Sequence, residues 1–265
     1  MNYLIRRFRE IEQWTKDVAD PRVEDWPLMK DPVPTLTIFV LYVSIVKYGP
    51  GFMRDRKPMA LKWLILPYNV ALVGLSVYMF YEFFVTAYLA NYSYKCQKVD
   101  YSDDPLAVRM ASVMWWYFFS KIVELIDTVF FILRKKNNQV SLLHVYHHSS
   151  MLINWYLGVK YIAGGQTFFV AMINSFVHII MYAYYALAAL GPHMQPYLWW
   201  KRYLTRLQLI QFFAIVLHQG YNLVVDCEFS KAWNAYVFIY DLSLIVLFSH
   251  FYFTTYSKKN EKKSS

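Results

Sequence analysis

From residue 161 to residue 200 the chain contains no Asp, Glu, Lys or Arg. A helix crossing a bilayer needs roughly 20 mostly apolar residues, so this stretch is long enough for one crossing plus aromatic segments at membrane depth. Blocks of similar character recur at 35–46, 63–90, 110–133, 140–159, 165–190, 207–225 and 232–256. Overall the chain is 57% hydrophobic and only 17% charged, and its charges are confined between these blocks instead of being spread as on a soluble surface. Without water, a backbone must satisfy its own polar groups, which helices do. No alternating ten-residue pattern suggests a barrel. The expected fold is an all-α integral membrane protein with seven transmembrane helices, or six if the first block, broken by Lys47, lies in the interface.

The loops give the orientation. Alternate loops carry Arg54, Arg56, Lys57 and Lys62, then Arg134, Lys135 and Lys136, then Lys201, Arg202 and Arg206, and the tail carries Lys258, Lys259, Lys262 and Lys263. The opposite loops carry Asp100, Asp103, Asp104, Asp226 and Glu228. The positive-inside rule puts the basic set in the cytosol, hence the amino terminus in the lumen and the carboxy terminus in the cytosol, although Arg6, Arg7 and Arg9 run against it. Three regions follow: a luminal or interfacial segment at 1–33, a seven-helix transmembrane domain at 34–257 and a basic tail at 258–265. The first thirty residues have no apolar core of the kind a cleavable signal peptide needs.

Lys262 and Lys263 stand fourth and third from the end, as in dilysine retrieval signals of endoplasmic reticulum membrane proteins; the plainer reading is a basic tail near anionic lipid. Cys96 and Cys227 fall in two luminal loops, where an oxidising compartment lets them pair. Asn91-Tyr92-Ser93 matches a glycosylation sequon close to the membrane.

Several polar residues lie at membrane depth. His144, His147 and His148 occupy positions i, i+3 and i+4, one face of a helix. Lys121, Glu124 and Asp127 or Thr128 recur at similar spacing, as do Asn174, His178, Tyr182 and Tyr185, and Thr205, Gln208 and Gln211. Each face alone could be interhelical hydrogen-bond glue, and the Lys-Glu-Asp set could be a structural ion-pair network. Together they suggest the lining of one chamber, because ionisable groups inside a membrane default to function.

In order along the chain, Lys121-x-x-Glu124-x-x-Asp127-Thr128, His144-x-x-His147-His148, His178-x-x-Met181-Tyr182-x-Tyr184-Tyr185 and Thr205-x-x-Gln208-x-x-Gln211 resemble the four signature motifs of the ELOVL family, the elongases of very-long-chain fatty acids. Gly49-Pro50, Arg56-Lys57-Pro58 and Tyr197-Leu198-Trp199-Trp200-Lys201 support the match. The resemblance implies a seven-helix enzyme of the endoplasmic reticulum that condenses a fatty acyl-CoA with malonyl-CoA, giving 3-oxoacyl-CoA, CO2 and CoA. It implies no bound cofactor, with both CoA thioesters entering as substrates. The reductase, dehydratase and enoyl reductase of the elongation cycle would be partners alongside the bilayer, with a homodimer an open assembly and no nucleic acid involved.

The chemistry of the histidine box leaves a rival. HxxHH boxes also hold iron in membrane desaturases and hydroxylases, which draw on several boxes; this chain has seven histidines and no second cluster. A seven-helix transporter or receptor is the other alternative, but neither an internal duplication nor paired broken helices are evident. A neutral imidazole attacks a thioester and splits the condensation into two steps. Spacing does not choose among the three histidines; the resemblance makes His147 the nucleophile. His148 and Asp127 are then candidates to set its tautomer, and His178 with Asn174 to stabilise the malonyl-derived enolate. Arg134, Lys136, Gln139, Lys201 and Lys258 are the expected contacts for CoA at a cytosolic mouth, although basic residues there also enforce topology. Aromatics, 20% of the chain, and eleven methionines suit either a lipid-like tunnel for the acyl chain or ordinary packing.

Overall fold

A computed structural model describes residues 2–257, with side chains at positions 6, 7, 10 and 13–256. Among the described residues all regular structure is helical: α1 (Asn2–Asp17), α2 (Pro32–Phe52), α3 (Lys62–Leu89), α4 (Pro105–Glu124), α5 (Ile126–Leu133), α6 (Leu142–Ile162), α7 (Thr167–Ala189), α8 (Lys201–Val224) and α9 (Lys231–Tyr252), joined by short turns. Four of these, α2, α3, α7 and the α9 region to Tyr256, are long and apolar enough to cross a membrane by length and composition. Seven rods stand in the bundle, since α4 and α5 follow one another across Leu125. The long uncharged stretch resolves into a single helix, α7, followed by a 3-10 segment at Pro192–Tyr197.

Local chemistry places the helix starts. Asp31 and Asp104 each accept a backbone hydrogen bond from the residue two ahead, at 2.8 Å, with a proline at the first helical position. Ser141 and Ser230 accept in the same way from His144 and Trp233, both at 3.3 Å. The cap at Ser141 puts the three histidines in the first two turns of α6.

α3 lies along α7 over most of its length and α8 along α9, while α6 packs against α2, α4 and α9. The outward faces remain strongly apolar: Trp63 is 82% exposed, Leu217 73% and Val224 83%. Long apolar helices with outward faces of this kind suit a lipid environment.

The two ends of the bundle differ. The ends of α2, α5, α7 and α9 and the starts of α3, α6 and α8 bring Arg54, Arg134, Lys136 and Lys201 to one side. At the other end Cys96 and Cys227 form a disulfide with their Cα atoms 5.8 Å apart, and Lys98 meets Glu228 at 2.8 Å. The segment before α2, expected only as luminal or interfacial, is folded onto this second end. Asp20 takes a backbone bond from its amide to Lys160 O at 2.9 Å. Arg22 bonds Asp20 and the carbonyls of Ala107 and Ala163, Lys160 Nζ donates to Met29 O at 2.8 Å, and Val23 and Met29 are fully buried. Lys258 and the dilysine pair lie outside the described residues.

Candidate active site

α4 and α7 run in the same direction, so residues three or four apart on one meet residues four apart on the other. Lys121 Nζ approaches Asn174 Oδ1 at 3.4 Å, and the Tyr117 hydroxyl donates to the same oxygen. One step on, Glu124 Oε1 accepts from Lys121 Nζ at 2.8 Å and lies 3.2 Å from His178 Nδ1. A further step brings the Tyr182 hydroxyl to Asp127 Oδ2 at 3.0 Å. Lys121, Glu124, Asn174, His178 and Tyr182 are all buried. Removing an ammonium and a carboxylate from water costs several kcal/mol each. Here the pair is repaid by mutual contact, by Asn174 and His178, and by the Tyr117 ring 4.3 Å from the ammonium.

The helix break at Leu125 falls inside this polar face. It separates Glu124 from Asp127, which one continuous helix would have kept in a single row. Past the break, Thr128 Oγ1 lies 2.7 Å from His144 Nε2 and 3.3 Å from the Tyr42 hydroxyl. The Asp127 carboxylate therefore bonds a tyrosine, where a histidine partner was expected. His144 stands over His148 with ring centroids 4.3 Å apart, and His147 meets the Phe248 ring edge-on at 6.3 Å.

His147 lines a cavity bounded by α4, α6, α7, α8 and α9. Its wall on α6 runs from His147 to Gly158, about 16 Å at 1.5 Å per residue. Asn174 and Gln211 also reach this wall, among rings from Tyr117, Trp155, Phe212 and Tyr240. Apolar clefts with a few convergent polar groups are where small ligands bind.

The remaining expected residues distribute unevenly. Gln208 turns its amide to Met181 Sδ at 3.5 Å, away from the cavity lining. Thr205, one turn before it, is buried, and Tyr184 packs against Trp200 at 4.9 Å in a separate cluster with Leu198 and Leu204. Tyr185 contacts the ring of Tyr182 at 5.8 Å. Arg134 is half-buried, whereas Lys136, Gln139 and Lys201 are exposed, at the end of the bundle where α6 begins. His218 bonds Gln166 and the Tyr94 carbonyl near the opposite end. Among the described residues no group of three or more His, Cys, Asp or Glu is placed to hold a metal ion.

Sequence reasoning missed a second ladder, between α6 and α9. Tyr146 meets Ser243 at 2.8 Å, Ser150 meets Tyr240 at 2.8 Å, and Tyr236 donates to Asn154 at 2.6 Å. Both sets recur every three or four residues, a signal present in the sequence and masked by the abundance of tyrosine. Also missed was Asp241, a single acid in the last apolar block, which lines the cavity.

Polar groups at membrane depth around an apolar cavity, within a bundle of lipid-facing helices, define a multi-pass membrane enzyme. The model of the ELO family (GNS1/SUR4 family) matches residues 27–264, and the chain belongs to that family. The chain is 52% identical over 255 residues to very long chain fatty acid elongase 4 of Homo sapiens, covering 96% of this chain and 81% of that protein. It is 46% identical over 256 residues to very long chain fatty acid elongase 7 of Rattus norvegicus, with 96% and 91% covered. With very long chain fatty acid elongase 1 of Homo sapiens it shares 46% over 243 residues, with 91% and 87% covered.

Proposed function

We propose that this enzyme is a fatty acid elongase that condenses a long-chain or very-long-chain acyl-CoA with malonyl-CoA in two half-reactions through His147. The observation that carries the reading is the position of His147: half-buried, two turns from the basic end, and facing a cavity long enough for an alkyl chain.

In the first half-reaction the imidazole lone pair attacks the thioester carbonyl. A C–N bond forms, the C–S bond breaks, and the thiolate leaves as CoA with the proton given up by the ring. An apolar cavity that excludes water protects the acyl-imidazole from hydrolysis. In the second, malonyl-CoA loses CO2, and the electrons of the broken C–C bond become an enolate that attacks the acyl carbon. The C–N bond breaks, the released ring nitrogen takes up a proton from solvent to restore the neutral imidazole, and 3-oxoacyl-CoA departs. Asn174 and His178 stand next to Lys121 and Glu124, and donors held in this way stabilise an enolate without reorganising. His148 packs against both other histidines, which limits the orientation of the ring.

Arg134, Lys136, Gln139, Lys201 and Lys258 suit CoA phosphates and pantetheine at a cytosolic mouth. In this reading all seven rods cross the bilayer, the amino terminus is luminal, and the dilysine tail keeps the protein in the endoplasmic reticulum. The reductase and dehydratase steps that follow require partner enzymes, and a homodimer is compatible with the exposed apolar faces.

Intact-mass analysis of purified protein tests the mechanism. Acyl-CoA should add one acyl mass, malonyl-CoA should discharge it, and His147→Ala should do neither. Near-normal condensation by His147→Ala would sink the proposal.

A further inference from the structure

Two acceptor oxygens on the cavity wall have no partner. Asp241 and Gln211 are each only 4% exposed, both line the cavity, and Asp241 Oδ2 and Gln211 Oε1 make no hydrogen bond. Leaving such atoms vacant in an apolar surrounding is unfavourable, and an acid at membrane depth marks a functional position. The mechanism above does not use Asp241.

The α6–α9 ladder fixes the height of this acid. His147 lies between Tyr146 and Ser150 on α6, and Asp241 lies between Tyr240 and Ser243 on α9, the two ends of the same pair of rungs. Four residues of α6 span about 6 Å, so carboxyl and imidazole belong to one layer of the cavity. An acyl group joined to His147 would carry its first carbons past Asp241. An acceptor at that height calls for a hydrogen-bond donor on the chain itself, and the smallest such group is a hydroxyl.

We propose that Asp241 and Gln211 form a polar subsite for a hydroxyl next to the thioester carbonyl, so that the enzyme takes 2-hydroxyacyl-CoA in preference to the unsubstituted chain. The assignment rests on His147 as the acyl-bearing residue. The hydroxyl donates to Asp241 Oδ2, and a chain without it leaves that oxygen vacant or strands a water there.

The test uses full-length protein in lipid nanodiscs with stearoyl-CoA and 2-hydroxystearoyl-CoA. Binding is followed by tryptophan quenching, since Trp155 and Trp233 line the cavity, and turnover by CO2 release from malonyl-CoA. The expected result is a preference of about tenfold for the hydroxylated chain in Kd and in kcat/KM. That ratio should fall to near one in Asp241→Leu and be partly kept in Asp241→Asn, which retains an acceptor. Equal handling of the two chains by the wild type, or an unchanged ratio in Asp241→Leu, overturns the subsite and leaves the elongase reading intact. If the binding preference is present but neither thioester is condensed, the elongase mechanism fails and, with it, the placement of the hydroxyl beside His147, a result distinct from equal handling of the two chains.

Discussion

Glu124 answers to two elements at once: it accepts from Lys121 one turn before it and faces His178 on α7. Removing one partner of a buried pair strands the other, which costs about 3–5 kcal/mol. Glu124→Ala should therefore lower thermal stability in detergent by that order, and Lys121→Met combined with Glu124→Leu should cost less than either single change. Additive losses in this double-mutant cycle would show that the two do not act as a pair. The residue types and their spacing were legible in the sequence, because intramembrane charge is rare. The partners were not: spacing put Lys121, Glu124 and Asp127 on one face, but only the break at Leu125 sends Asp127 to Tyr182 and Thr128 to His144.

At the level of elements, α6 is held to α9 by side-chain hydroxyls as well as by packing. Polar contacts between membrane helices are each worth about 0.6 kcal/mol, with a maximum near 1.7. Ser150→Ala and Tyr240→Phe should each destabilise by about that amount, with a coupling close to either single loss in thermal unfolding. A coupling of zero would mean that the rung at 2.8 Å contributes nothing. Gly165 joins α6 to α7 at φ +53, and a Cβ there would come within 2.7 Å of Val99 Cγ2 and 2.9 Å of the Val99 backbone nitrogen. Gly165→Ala should therefore displace the segment that carries Cys96, reducing both stability and the yield of the disulfide, read by thiol labelling. The seven blocks anticipated the rods to within about six residues, since length and hydropathy fix them; the largest misses are the end of α2 and the start of α8. The folded segment at 18–31 was not anticipated, because its burial depends on the carbonyls of Ala107 and Ala163, far away in sequence.

Across the whole molecule the disulfide closes a separation of 131 residues. Chain-entropy reasoning assigns such a loop about 5 kcal/mol, as an upper figure. Cys96→Ser, Cys227→Ser and the double variant should all lose the same stability, because a single bond is removed in each; unequal losses would reveal separate packing roles. Arg22 ties the amino-terminal segment to the same end, and Arg22→Leu should strand the buried Asp20 carboxylate at a cost of about 3–5 kcal/mol. Faster proteolysis within 18–31, with the helical bundle preserved, would accompany it.

The sequence by itself determined the membrane setting, the number of helical blocks, the family motifs and the side of the bundle that carries the basic loops, because each depends on local composition and spacing. Tertiary structure alone decided which polar faces meet, that Gln208 turns to Met181 while Gln211 faces the cavity, and that Asp241 stands level with His147. Helical periodicity gives a residue its direction about its own axis. Its height and partner depend on how neighbouring helices are staggered, and that follows from packing across the bundle.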